Sequence, residues 1–466
     1  MSDTKNAITP SDLKNLGNVR GTEYVYPERM NQIHSMTNVM HATARLWGYS
    51  QIDGPTLQPV EFYSVKSSEE LLEDGYYVSS GDRTYMLRPE ITPTIAYMLA
   101  DVEKQLTYPV RWYSDPQIYR NERPQSGRRR QFGQFNLDRF DLEPLSNEAR
   151  ALADAEVIGE AIDTLGKYGL TADDVVMRVN SRAVLERAFD LIEIEERTVR
   201  DQLLSVIDAK EKLPEDVFVK KSNDTGITEA QSQQLLNWLN ISSLDEIKTS
   251  EVFSSIAQTA EYKELAMVLK FLSVQGFGDY AKYDPVIVRG LGYYTGTVFE
   301  AFDKQPERSM KRSILGGGRY DQFTQKFGGK LEVTGVGFGI GHVPLEAILK
   351  SRDLLDESSL PGPDYYIAVQ EEPQDSRGER LADILRITKA IRDSGKSVII
   401  DSSITGESES RLKKQMNTAN KIDALTVLIF LNDKEAIAVK DLATGEQSEV
   451  TYDTFMRTIA EHSLTD

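Results

Sequence analysis

Residues 182–281 read as one helix after another, and strand-like sequence flanks them on both sides. "RAVLERAFDLI", "TVRDQLLSVIDAKEKL", "AQSQQLLNWL" and "YKELAMVLKFLSVQG" are helical segments separated by polar turns. Upstream, "YYVSS", "TYMLR" and "VRWYS" are rich in aromatic and β-branched residues. Downstream, the same chemistry returns in "VIVRGLGYYTGTVFEAF" and "VTGVGFGIGHV". This pattern predicts an α+β fold in which segments 1–181 and 282–350 form a core and 182–281 is a helical insertion. Pro361, Gly362 and Pro363 are poor helix continuers, so 351–363 reads as a linker. Beyond it, 364–466 alternates strand and helix ("YYIAV", "RLADILRITKAIRDSG", "SVIID", "SRLKKQMNTANKI", "ALTVLIF", "EAIAV", then a last helix), a compact α/β domain.

Within the first core segment, Met30, Ile33, Met36, Met40 and Trp47 recur at helical spacing, and Gly48 ends that helix. "YSQIDGPTLQPVEFY" follows as an extended segment broken by Pro55 and Pro59. "NEARALADAEVIGEAIDTLGKYG" is a helix closed by Gly169, its apolar stripe a core face.

Composition excludes several classes of chemistry. The chain has no Cys, so disulfides, thiolate metal sites and Cys nucleophiles are ruled out. Its four His (His34, His41, His342 and His462) form no metal-ligand spacing, which argues against a zinc-dependent hydrolase. No run approaches the roughly 20 apolar residues of a membrane helix. The start, "MSDTKNAITPSDLKN", has neither an apolar centre nor an Arg-rich amphipathic pattern, so a cytoplasmic location without a targeting peptide is expected. A net charge of −19 argues against wholesale phosphate-driven nucleic-acid binding but allows a local basic site.

One such site stands out. "YRNERPQSGRRRQFGQF", residues 119–135, gathers Arg120, Arg123, Arg128, Arg129 and Arg130 against one acid, Glu122. Known phosphate loops do not account for it. "SGKS" at 394–397 lacks the upstream Gly of a P-loop, because residue 390 is Ala, and it leads into a strand. "GFGIG" at 337–341 lacks the ribose-binding acid of a dinucleotide fold, and "GGGRYD" at 316–321 fits neither template.

The segment "YRNERPQSGRRRQFGQFNLD" resembles the second class-defining motif of class II aminoacyl-tRNA synthetases, and specifically of the histidyl-tRNA synthetase family. "VRGLGYYTGTVFE" at 288–300 is similar to that family's own signature. "LRPEIT" at 87–92 and "GGGRYD" match its two other pocket segments, and "GTEYVYPE" with the turn around Pro55 resembles its dimer-forming first motif. The C-terminal unit, with "RLKKQMNTAN" and "IAVKDLATGEQ", is similar to the family's anticodon-binding domain.

The resemblance implies a homodimer with a class II core, an antiparallel sheet flanked by helices. It implies activation of histidine by ATP, with Mg²⁺ carried on the ATP phosphates and no protein metal ligands, and transfer to tRNA(His). Arg120 and Arg289 would hold the α-phosphate, Arg128 the outer phosphates and Glu122 the adenine, with Gln134 also at the nucleotide. Planar guanidinium forks suit phosphoryl oxygens that gather charge in the transition state. Glu90, Thr92 and Gln134 match the groups around the histidine ammonium. Asp138 and Tyr294 match those that grip the imidazole, with Tyr293, Tyr320 and Arg289 beside them. Arg123, Gln125 and Arg130 match positions that meet the tRNA acceptor end, with a solvent-exposed loop as the other reading; the tyrosines also read as core aromatics.

The match departs in one place. The family's third motif ends Gly-x-Glu-Arg-Leu, whereas here "GFGIGHVPLE" puts Val343 and Pro344 at the Glu and Arg positions. Pro344 instead suits a helix's first turn. Gly292 likewise replaces an acid. Two readings stay open: an active variant, or a catalytically inactive paralogue acting as a regulatory or tRNA-binding subunit.

Overall fold

The computed structural model describes residues 17–64, 72–122, 128–290, 292–355, 362–370, 377–400, 411–431 and 436–462. The chain divides into two compact units, Met1–Asp356 and Glu357–Asp466.

The first unit opens with helix α1 (Pro27–Leu46), with a proline in its first turn and Met36, Met40 and Ala44 buried. Strands β1 (Ser50–Gln51), β2 (Val110–Ser114), β3 (Gln117–Tyr119) and β4 (Gln131–Leu142) follow, with helix α2 (Thr92–Val102) between β1 and β2. A separate small sheet pairs Leu57–Pro59, Arg83–Leu87 and Tyr76–Ser80. Helix α3 (Asn147–Lys167) starts where Ser146 Oγ accepts the Ala149 N–H at 3.2 Å. It stops before Gly169, whose φ of +93° suits glycine.

Strand β5 (Val175–Ser181) leads into the helical stretch α4 (Arg182–Leu191), α5 (Arg197–Asp208), α6 (Glu215–Asn223), α7 (Glu229–Leu239), α8 (Leu244–Thr249) and α9 (Ala260–Val274). Its starts are chemically marked. Thr228 and Gln231 form a reciprocal cap on α7, while Ser243 and Thr259 cap α8 and α9. Strands β6 (Ala281–Tyr283), β7 (Thr297–Asp303), β8 (Ser313–Asp321) and β9 (Val333–Gly341) and helix α10 (His342–Ser351) complete the unit.

Among the described residues these strands make a nine-stranded sheet, in the order β1-β2-β4-β9-β8-β7-β5-β6 with β3 on β4. The edge pairs β1/β2 and β5/β6 are parallel; the centre is antiparallel. Segments on either side of the helical stretch therefore interleave in one sheet. The fold is the expected α+β class.

Strand alternation sorts the sheet's residues onto two faces. On one face, Phe135 and Leu137 of β4, Val336 and Ile340 of β9, and Phe299 and Ala301 of β7 are buried in the core with α3. Arg319 of β8 lies on this face too, fully buried, with Nε 2.9 Å and Nη2 2.6 Å from the equally buried Asp154 of α3. Thr297 donates to the same carboxylate at 2.6 Å. This polar pin ties the sheet to its covering helix, and it assigns the Arg of "GGGRYD" to the core.

"VIVRGLGYYTG" is not strand as expected: the ladder begins only at Thr297, and residues 284–296 form a loop apart from Leu291, which is outside the described residues. The apolar and aromatic content that suggested a strand serves burial instead, with Val288 and Tyr293 inside the protein. "GFGIG" lies wholly within β9 and makes no loop of any kind.

The second unit runs β10 (Tyr365–Val369), α11 (Arg377–Asp393), β11 (Val398–Ile400), α12 (Arg411–Lys421), β12 (Thr426–Phe430), β13 (Ala436–Asp441), β14 (Gln447–Thr451) and α13 (Tyr452–His462). The sheet order is β11-β10-β12-β13-β14, parallel at β10 and antiparallel from β12 onward. Strand β14, with the polar sequence "QSEVT", was not expected. In the rejected phosphate loop, Ser397 is tied to Asp364 by its N–H at 2.8 Å and its hydroxyl at 2.7 Å.

Arg319→Met tests the pin. Removing one partner of a buried pair leaves a stranded charge on Asp154, so stability should fall by about 3–5 kcal/mol in denaturant titration. A loss below about 1 kcal/mol would mean that Asp154 does not depend on this arginine.

Candidate active site

On the sheet face opposite α3, the central strands carry almost no side chains. Gly316 and Gly318 of β8 pair with Gly339 and Gly337 of β9, and those pair in turn with Asn136 and Asp138 of β4. The absence of side chains is a geometric requirement. A Cβ on Gly316 would lie 1.9 Å from Arg289 Nη1, one on Gly337 2.1 Å from Asp138 Oδ1, and one on Gly339 2.5 Å from Gln134 Nε2. The bare strands thus form the floor of a cavity of about 650 Å³. Side chains from both sides of the helical stretch reach over it.

Arg120, from the end of β3, donates Nε to the Pro89 carbonyl at 2.9 Å and stands 5.7 Å over the Phe132 ring. Arg128 forms an ion pair with Glu122, and Arg120 stands 4.0 Å from the same acid. From the other half of the chain comes Arg289, held at φ +58°. Its Nη1 pairs with Glu300 of β7, directly across the ladder from Gly316. Burial opposes the Arg289 charge, but Glu300 outweighs it and holds the guanidinium above its ordinary pKa.

The polar floor continues into an aromatic nest. Tyr293 lies 4.8 Å from Tyr294 and 6.0 Å from Tyr320, centroid to centroid, with Phe323 at 5.0 Å. Tyr320 donates its hydroxyl to Asp138 Oδ1. The other oxygen, Oδ2, is buried and meets no hydrogen-bond partner among the described residues. Burial pushes the Asp138 carboxyl up to about 7 in spite of the tyrosine's bond. An acceptor of this kind, at the wall of a cavity, suits a ligand N–H.

Loop 284–296 owes its shape to a buried bracket that the sequence did not reveal. Asn180 Nδ2 donates to the carbonyls of Pro285 at 3.1 Å and Ile287 at 2.9 Å. Arg182, the first residue of α4, donates to Val288 O at 2.8 Å, Tyr294 O at 3.3 Å and Arg289 O. Arg88 does similar work beside Glu90, bonding Asp53 at 2.7 Å, Gly54 O at 2.7 Å and Gln117 O at 2.9 Å. These contacts fix the backbone on which Arg289 and Glu90 ride.

Glu90, Thr92, Arg120, Glu122, Arg128, Gln134, Asp138, Arg289, Tyr293, Tyr294 and Tyr320 all line this one cavity. Arg130 does not; its Nε donates to the Glu122 carbonyl at 3.2 Å. Arg123 and Gln125 lie outside the described residues. Arg129 reaches the rim and pairs with Glu23. Val343 and Pro344 line the wall at the start of α10. Sequence reasoning missed Asp208, Glu211 and Lys212 from the helical stretch, and Lys311 and Arg312 ahead of β8. The basic pair "KR" two residues before "ILGGGRYD" was the available signal. Among the described residues no group of three or more His, Asp or Glu side chains gathers as a metal site.

A structure of histidyl-tRNA synthetase from Nostoc sp. PCC 7120 superposes with a TM-score of 0.71 at 23% identity, covering 96% of this chain and 98% of that one. The sheet, its helical backing and this bare-floored cavity define a class II aminoacyl-tRNA synthetase core. A family model described as histidyl-tRNA synthetase matches residues 21–343. "Histidine--tRNA ligase, chloroplastic/mitochondrial" from Arabidopsis thaliana is 31% identical over 437 residues, 92% of this chain and 84% of that protein. A histidine--tRNA ligase from Haloquadratum walsbyi is also 31% identical, over 94% of this chain and 96% of its own length. This chain belongs to the histidyl-tRNA synthetase family.

Asp138 carries a pH signature that can be measured. In the unfolded chain an Asp ionises near pH 3.9, whereas in the folded chain it does so only near 7. Its charge therefore weakens the fold increasingly between those two values and by a constant amount above them. Asp138→Asn, which still accepts from Tyr320, should raise the melting temperature more at pH 8 than at pH 5 and weaken binding of an imidazole ligand. An equal gain at both pH values would contradict the burial argument. At Arg182, replacement by Ala should lower turnover through loss of Arg289 placement while Arg182→Lys recovers only part, because one ammonium cannot span three carbonyls.

Proposed function

We propose that this chain is a histidine–tRNA ligase that activates histidine with ATP·Mg²⁺ and passes the histidyl group to the 3′ end of tRNA(His). One observation carries the reading: Arg120 and Arg289, distant in sequence, line the same cavity as Glu90 and Asp138. In the proposed reaction the histidine carboxylate attacks the α-phosphorus and pyrophosphate leaves. Arg120 and Arg289 then stabilise the charge that builds on the phosphoryl oxygens. Arg128 holds the outer phosphates, and Glu122 with Gln134 faces the nucleotide. Mg²⁺ arrives as part of the substrate, bound to phosphate oxygens.

Glu90, Thr92 and Gln134 receive the histidine ammonium. Asp138 accepts a ring N–H, with Tyr293, Tyr294 and Tyr320 enclosing the imidazole. A site whose buried acceptor needs an N–H discriminates strongly against side chains that lack one. In the second step a ribose hydroxyl of the tRNA attacks the activated carbonyl and AMP leaves. Arg123, Gln125 and Arg130 are assigned to the acceptor end, and the unit beyond residue 363 to the anticodon. Tyr24 and Tyr26 ahead of α1 and Met30 in its first turn are exposed, apolar exposure of the kind that supports a homodimer.

Histidine-dependent ATP–pyrophosphate exchange tests the assignment. Exchange should be present, and Arg289→Ala should cut it about 10²–10³-fold, the usual range for a lost oxyanion-stabilising donor. No exchange at saturating histidine would refute the ligase reading. Deleting 364–466 should cost tRNA charging far more than exchange; equal losses would refute the anticodon assignment.

A further inference from the structure

Opposite the Arg128–Glu122 pair, the cavity wall carries a cation that the motifs did not single out. Arg312 lines the cavity beside Lys311, just before β8. It is half-buried and makes no hydrogen bond or ion pair among the described residues. The like charge of Arg128 faces it and, after burial itself, helps hold its pKa below the ordinary arginine value; Glu122 acts the other way. A structural arginine in such a position would be matched to a carboxylate or a carbonyl. Among the described residues this one has no hydrogen-bonded partner, in a wall already carrying Arg128 and Lys311.

Strand register explains its location. β8 and β9 pair in antiparallel order as far as Leu315 opposite Ile340. Three residues further along each strand, Arg312 and Val343 leave the sheet at the same end. Val343 and Pro344, which bring no charge, thus stand next to the strand end from which Arg312 enters the cavity. A guanidinium missing from the start of α10 is available from the neighbouring strand.

We propose that Arg312 binds the outer phosphates of ATP together with Arg128, supplying from β8 the cation that α10 lacks. This rests on the ATP-dependent reading above. Without the nucleotide, two cations face each other across the open wall; with it, phosphate oxygens lie between them and both forks are satisfied.

Calorimetric titration of the full chain with ATP·Mg²⁺, AMP and histidine, before and after Arg312→Ala, decides the matter. A charge-assisted hydrogen bond corresponds to roughly a tenfold to hundredfold change. ATP affinity should fall by that factor, AMP affinity should stay within about twofold, and histidine affinity should not move. Arg312→Lys should fall between the two proteins. In exchange kinetics the loss should sit in KM for ATP, not in KM for histidine. Unchanged ATP affinity, or equal loss for ATP and AMP, overturns the proposal. So does parallel loss of histidine binding, since the residue would then be holding the whole pocket together. The titration reads Arg312 whether or not the chain turns over, so absence of exchange in the unsubstituted protein would count against the ligase reading alone.

Discussion

The cavity exists because two adjacent central strands place glycines at four facing positions of one face. Gly316 faces Gly339 and Gly318 faces Gly337, so four Cβ atoms that would otherwise fill the space are missing together. Into that space lie Arg289, Asp138 and Gln134, each closer to a glycine than any Cβ would allow. Each large apolar side chain enclosed on a sheet face contributes roughly 1.5–3 kcal/mol. Here one face forgoes that gain and the other, packed on α3, must supply the stability. Full burial of Arg319 and Asp154 at that junction shows how tightly the supporting side is closed.

The same division explains the charges. On the supporting face the buried arginines are matched, Arg319 by Asp154 and Arg139 by Asp141 at 2.9 Å. On the open face the matching is deliberately incomplete. Asp138 Oδ2 and Arg289 Nε have no partner among the described residues, and Arg312 has none for any of its atoms. Buried polar groups left unsatisfied weaken a fold, and sites tuned for ligands retain them because the ligand completes the set. An acidic chain that still gathers Arg120, Arg128, Arg289 and Arg312 at one cavity presents there a local positive site that its net charge of −19 does not suggest.

Much of this architecture was legible because it follows local rules. The apolar spacing in α1 and α3, the successive helical segments of 182–281 and the β-branched strands of the second unit each announce themselves locally. The cavity residues were legible for a different reason: they sit in several short motifs whose order along the chain is itself informative. Loop 284–296 was misread because aromatic and β-branched residues report burial, and burial here comes from a loop clamped by Arg182 and Asn180 across the insertion. No local pattern encodes that bracket. Strand β14 escaped for the opposite reason: its residues are mostly exposed and polar, and its strand state comes from pairing with β13.

Arg312 shows why positions matter less than places. A motif read along the chain registers Val343 and Pro344 as a loss, because it compares each residue with the type expected at that point. Electrostatics compares only locations. Since β8 and β9 run antiparallel, residues whose numbers move in opposite directions stay neighbours, and a cation lost from one strand end can be regained from the other without altering the fold. Pro344 then has a use that an arginine there would not serve, stiffening the first turn of α10 against the cavity wall. Convergence of guanidinium groups on one cavity constrains the set of side chains around it, and leaves open which strand contributes each one.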